Sequence, residues 1–173
     1  HLREDRRHIQ DRDLFLLKET AKVPVNLEMA LSEPIIKIAL KVKPDRVTLV
    51  PEKRQEVTTE GGLDVIKNRN KITKALKRFK RAGIPMALFI DPALSQIETS
   101  AMLKVDGVEL HTGSYCEAKK EKEVQERLKE IERGAQFAHS CRLRVYAGHG
   151  LNLNNVDPVA AIPEIEELNI GHS

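Results

Sequence analysis

The sequence predicts an α/β fold arranged as a (β/α) barrel, and two observations carry that expectation. Short apolar runs rich in Val, Ile and Leu alternate with longer segments of helical period, the pattern of parallel strands joined by helical crossovers. Nearly every run then finishes in reactive side chains. In a barrel all strands finish in one mouth, whereas a doubly wound sheet gathers its ligands at a switch point.

The chain opens on the polar run HLREDRRH, where His1, Arg3, Arg6, Arg7 and His8 bring guanidiniums and imidazoles together. Arg grips phosphate through a bidentate fork, so this run is expected to form an anion site at the same rim. The first strand is expected over 23–27 and delivers Glu28. A carboxylate inside an apolar strand is partly desolvated, which raises its pKa and makes it a candidate general base. The alternative for Glu28 is a structural ion pair with a nearby Arg or Lys. Ser32, before Glu33 and Pro34, marks the start of a helix over 35–42, its hydroxyl able to take an orphan amide.

The second strand, 46–50, leads to Glu52, Lys53 and Arg54. The loop PEKRQEVTTEGGLD is longer than the roughly two to six residues usual for such a connection. Its Thr58 and Thr59 hydroxyls and the pair Gly61 and Gly62 suit a lid over a substrate. Ile72, Leu76 and Phe79 then recur at helical spacing before Gly83, a C-terminal glycine, and KALKRFKR reads as the solvated face of that helix. Strand 85–90 ends at Asp91. Strand 107–110 carries Glu109 and leads to His111, which are expected to face opposite sides, only one pointing inward. Val124, Leu128, Ile131, Ala135 and Ala138 mark the longest helix. Strand 143–147 precedes His149 between Gly148 and Gly150, and strand 168–170 precedes Gly171 and His172. Flanking glycines let backbone N–H groups approach a ligand, as late barrel loops do for phosphate.

Composition narrows the function classes. The 173 residues carry a net charge of +3, 3% aromatics and no Trp, and no apolar run nears the roughly 18 residues of a spanning helix, which excludes a membrane protein. So small a charge, with so few stacking side chains, gives no reason to expect nucleic acid. Cys116 and Cys141 lie in no CxxC pair and read as ordinary buried or helix-end thiols of a reduced compartment.

Taken in order, the strings HLREDRRHI, NLEM, LVPEKRQEVTTEGGLDV, LFID, ELHTG, AGHGL, AAIPEI and ELNIGH resemble the pyridoxine 5′-phosphate synthase family of bacterial vitamin B6 biosynthesis, over the whole chain. The resemblance implies a (β/α)8 TIM barrel, a cytoplasmic homo-octamer, and no cofactor or metal. It implies condensation of two phosphorylated substrates, 1-deoxy-D-xylulose 5-phosphate and 3-amino-2-oxopropyl phosphate, closing the pyridine ring with release of phosphate and water. His1 and Glu28 match the family's proton acceptors, His149 its proton donor and Glu109 its transition-state stabiliser. Arg3, His8 and Thr58 match positions that bind the deoxyxylulose phosphate, and Gly150, Gly171 and His172 those that hold the aminoketone phosphate.

Against the family pattern, the Asn-x-Asp-His motif of the opening strand and a following Arg do not precede His1, and the last helix does not follow Ser173. The expectation is therefore a single barrel domain over 1–173, truncated at both ends. It lacks the first strand-helix unit, most of the second strand and the last helix, since a full barrel needs about 250 residues. Two other readings stay open. One is a metal-dependent barrel hydrolase with His1, His111, His149 and His172 as ligands, although spacings such as HxH are absent. The other is a catalytically inactive barrel acting as a binding or assembly module.

Overall fold

In the computed structural model, which describes residues 1–58 and 61–171, the apolar runs form strands β1 (Asn26–Met29), β2 (Arg46–Leu49), β3 (Met86–Ile90), β4 (Gly107–His111), β5 (Arg144–Gly148) and β6 (Glu167–Asn169). All pair in parallel, and their order in space is their order in sequence. Helices α1 (Asp11–Thr20), α2 (Glu33–Val42), α3 (Val65–Arg81), α4 (Leu94–Leu103), α5 (Gly113–Glu117), α6 (Glu121–Ser140) and α7 (Val156–Ala160) lie between them. Strand bounds fall within about three residues of expectation. The largest offset is at β1, where Pro24, with no N–H to donate, delays pairing until Asn26. No helix among the described residues is long and apolar enough to cross a membrane.

Successive strand side chains point to opposite faces, and in-register neighbours share a face. Leu27, Leu49, Leu88, Leu110 and Val145 join the buried apolar core with helix residues such as Ile35, Phe79, Ile97 and Ile131. The other face carries the registered rows Glu28, Thr48, Ala87, Gly107 and, further along, Phe89, Glu109, Tyr146, Glu167. That second face is concave. Arg46 on β2 makes a bidentate ion pair with Glu167 on β6, four strands away, with its guanidinium 4.0 Å over the Tyr146 ring. In a flat sheet those strands would stand about 19 Å apart, too far for two side chains to meet. The sheet is thus a curled, parallel half-barrel. Leu2 extends it, its N–H donating to the Glu28 carbonyl at 3.2 Å in a parallel bridge beside β1, which sets His1 at the rim.

Gly83 ends α3 as expected, with φ 70 and a Schellman pattern: its N–H donates to Lys80 O at 3.1 Å and Ile84 N–H to Phe79 O at 3.0 Å. The basic run on α3 is solvated as expected, with Lys74, Lys77, Lys80 and Arg81 exposed. At α2, Ser32 is the N-cap residue, but its hydroxyl makes no capping bond and its oxygen is buried without a partner, contrary to expectation. Helices α1, α4, α5 and α7 have no counterpart among the helices singled out from the sequence. α1 starts on a reciprocal Gln10/Asp13 capping box, and α4 turns Gln96 and Ser100 to the core.

Candidate active site

The C-terminal ends of the strands open into a cavity of about 620 Å³. His1, Glu28, Glu109, His149, Gly150 and Gly171 all line it, as do Phe89, His111 and Asn169. The expectation that Glu109 and His111 face opposite sides is overturned. Side chains alternate residue by residue, so positions two apart share a face, and both point into the cavity.

His1 bridges two carboxylates. Its Nε2 lies 3.0 Å from Glu52 Oε1 and its Nδ1 3.8 Å from Glu28 Oε2. Glu52 is fixed in turn by the Glu4 N–H at 3.0 Å, while the N–H groups of Glu52 and Lys53 both reach Glu56 Oε2 at 3.1 Å. The desolvation expected of Glu28 falls instead on Glu109: the Glu28 side chain is 36% exposed, whereas Glu109 is 3% exposed. Burial first, and then the Glu28 charge, push the Glu109 carboxyl up to about 8, with the Asn169 amide and Arg46 pulling the other way. Gly148 makes room for it, since a Cβ there would stand 2.4 Å from Glu109 Oε1.

His149 has φ 85, a left-handed backbone rare outside glycine. Thr112 holds that turn: its N–H donates to Gly148 O at 2.9 Å, and its hydroxyl lies 2.7 Å from Gly148 O and 2.6 Å from His149 O. Burial, and then the neighbouring His111, hold the His149 imidazole below its ordinary pKa. The His149 and His111 rings are 4.9 Å apart, and Phe89 meets His111 edge-on at 4.9 Å. At Gly150, φ 79, a Cβ would stand 2.9 Å from Cys116 Cβ. Both cysteines are free and half-buried, Cys141 at the C-cap of α6.

The long loop is pinched at its root. Thr58 N–H donates to Gly62 O at 2.9 Å, Leu63 N–H to Phe89 O at 2.8 Å, and Val57 bridges Leu63. The Thr58 hydroxyl donates to Asp91 Oδ2, and the Gly62 N–H to Asp91 Oδ1 at 3.0 Å. His111 Nδ1 lies 3.4 Å from the same Oδ1. Burial alone would raise the Asp91 pKa, but hydrogen bonds from His111, Thr58 and Gly62 outweigh it and hold the carboxyl below its ordinary value. Gly62 is glycine for close approach, since a Cβ there would stand 2.4 Å from the Asp91 nitrogen.

Other expected residues lie elsewhere. Arg3 pairs with Asp5 at 3.3 Å, Arg7 with Asp5 at 3.4 Å and Arg6 with Asp11 at 2.6 Å, so acids of the same segment meet the three guanidiniums. Neither Arg3, His8 nor Thr58 lines the cavity. Thr59 and His172 lie outside the described residues. Among the described residues no three His, Cys, Asp or Glu side chains are grouped to hold a metal ion.

The family model described as pyridoxal phosphate biosynthesis protein PdxJ matches residues 1–173. The chain is 57% identical over 173 residues to a pyridoxine 5′-phosphate synthase of Prochlorococcus marinus (strain NATL1A), covering 100% of this chain and 70% of that protein. It is 51% identical to the synthase of Pelobacter propionicus, covering 100% and 72%. Two solved structures share its fold. Phosphoribosyl anthranilate isomerase from Thermus thermophilus matches with TM-score 0.59 and 16% identity over 98% of this chain and 73% of that one. The tryptophan synthase A-subunit from Pyrococcus furiosus matches with TM-score 0.58 and 14% identity over 93% and 61%.

Proposed function

The chain belongs to the PdxJ family of pyridoxal phosphate biosynthesis proteins, and from that premise we propose how it works as a pyridoxine 5′-phosphate synthase. The reaction is the condensation of 1-deoxy-D-xylulose 5-phosphate with 3-amino-2-oxopropyl phosphate, releasing phosphate and water. Imine formation, enolisation and dehydration each require a proton moved near neutrality, which a ring of His and Glu supplies. His1 and Glu28 act as proton acceptors and His149 as donor. Its lowered pKa makes the protonated ring a stronger acid and leaves less of it protonated at neutral pH.

The observation that carries this reading is Glu109. Neutral below about pH 8 and facing the cavity, it can donate a hydrogen bond to a carbonyl oxygen gaining negative charge without adding a second anion beside Glu28. Gly150, Gly171 and His172 hold the aminoketone phosphate, and the glycine-flanked backbone at the rim supports that role. Arg3, His8 and Thr58 are the positions we assign to the deoxyxylulose phosphate, although none of them lines the cavity and Thr58 donates its hydroxyl to Asp91.

The same reading makes the half-barrel six strands of a single (β/α)8 domain, acting as a cytoplasmic homo-octamer. In the full-length protein, Glu28→Gln and His149→Asn are each expected to lower formation of pyridoxine 5′-phosphate about a hundredfold or more while the far-UV spectrum is kept. Wild-type turnover in either variant removes that residue from the mechanism.

A further inference from the structure

The roles proposed above leave Asp91 and His111 without a part, yet they are among the most constrained side chains near the cavity. We infer that Asp91 and His111 form a positioning pair that couples the root of the lid to the His149 side of the site, so that seating the lid and setting His111 beside His149 are one event.

Asp91 is 3% exposed and does not line the cavity, so it does not touch what binds there. Among the described residues its side-chain hydrogen bonds come from two places. Thr58 and Gly62, both in the long loop after β2, supply a hydroxyl to Oδ2 and an N–H to Oδ1, and His111 approaches that same Oδ1. A buried carboxylate depends on such donors, and losing two of the three together leaves it undersolvated. Release of the lid therefore disturbs the one partner that remains, the His111 imidazole.

That imidazole has little room to respond in any other way. Its side chain is 10% exposed. Phe89 packs on it edge-on, and a Cβ at Gly113 would stand 2.6 Å from its Nε2. A Cβ at Gly61, on the lid itself, would stand 3.2 Å from its Cε1. The lid thus bears on His111 in two ways, by its hydrogen bonds to Asp91 and by the close approach of Gly61, which leaves little room for a side chain there. The His111 and His149 ring centres stand 4.9 Å apart. His149 sits on a left-handed backbone with Gly148 and Gly150 on either side, a turn whose placement depends on what surrounds it. A rigid ring wedged between lid and turn carries the position of one to the other.

This inference rests on the proposed reaction for its kinetic arm and is independent of it for its lid arm. In full-length Asp91→Asn without substrates, hydrogen exchange of the backbone amides over 57–63 is expected to quicken at least about tenfold, with β4 and β5 unchanged. With both phosphates, kcat is expected to fall about a hundredfold while each KM stays within about threefold, because a misplaced group impairs the step more than the binding. His111→Asn leaves Thr58 and Gly62 on Asp91, so it should keep slow lid exchange and lose kcat alone. If Asp91→Asn does not fold, Thr58→Val removes one lid contact and carries the same expectation for exchange. Lid exchange at the wild-type rate in Asp91→Asn or Thr58→Val overturns the inference, as does wild-type kcat in His111→Asn. A wild-type protein that fails to convert the two phosphates overturns the reaction and leaves the exchange result standing.

Discussion

Asp91, just past the end of β3, and Glu109, on the neighbouring β4, stand at the same end of the sheet, each 3% exposed, and their carboxyls are driven in opposite directions. Desolvation acts most strongly on both, and alone it would raise either group. The difference is the company they keep. Asp91 faces a hydroxyl, an amide and an imidazole, all donors, whereas Glu109 Oε2 is buried with no well-placed donor and faces the charge of Glu28. Depth of burial says how strongly the surroundings act, and the count of donors says in which direction. One carboxyl is thereby kept as an anion that ties structure together, and the other as an acid that reaches into the cavity.

The comparison breaks most visibly at Glu109. Its folded pKa is raised, so its contribution is full below its ordinary value of 4.5 and is lost as pH climbs toward about 8. The wild-type protein is expected to lose a few kcal/mol across that window, and Glu109→Gln to lose the slope. Thermal midpoints taken from pH 5 to 8.5 read this directly, and parallel curves would show that the carboxyl is not the source.

Asp91→Asn should act with the opposite sign and a smaller size. Its folded pKa is depressed, so its contribution is present above its ordinary value of 3.8 and fades as pH falls through the folded value. The variant should be about 1–3 kcal/mol less stable than wild type at pH 7, with the gap closing in strong acid. Urea denaturation at pH 7 and pH 3 checks it; a gap that widens in acid would mean that the anion is not what stabilises.

The smallest effect sharpens the contrast. Glu28→Gln removes the like charge that is the second cause of the Glu109 shift, so the fall in stability on raising pH should move to lower pH. Carbon-13 titration of the Glu109 carboxyl would show no movement if burial alone sets its value.

Much of this arrangement was legible in the sequence, and the exceptions have physical reasons. Parallel strands packed under helices read as short apolar runs, so all six were found. α4 was hidden because Gln96 and Ser100 occupy its core face, satisfied by Val65 N–H and the Gln96 carbonyl, which breaks the apolar stripe. α1 was hidden because Phe15, Leu16 and Leu17 run consecutively and are exposed, leaving Leu14 as its only buried residue. In the site, strand ends point to Glu28, Glu109, His111 and His149, since a single mouth gathers them, whereas His1 stands out through the family resemblance. The tie from Asp91 to the lid was not legible, because Thr58 and Gly62 reach it only through tertiary folding. Glu52 reads from the sequence as a reactive strand-end side chain, but its place beside His1 does not, and Gly113, two residues after His111, is the signal of crowding around that ring.

The bidentate contact between Arg46 and Glu167 acts as a chord across an arc. Strand spacing fixes the length of that arc, and a fixed chord on a fixed arc determines the radius. The separation of Glu28 from Asn169, on the flanks of the mouth, is therefore governed from below by two side chains that touch neither. Shortening one of them, as in Glu167→Asp, would alter the span of the opening without changing a single group that lines it.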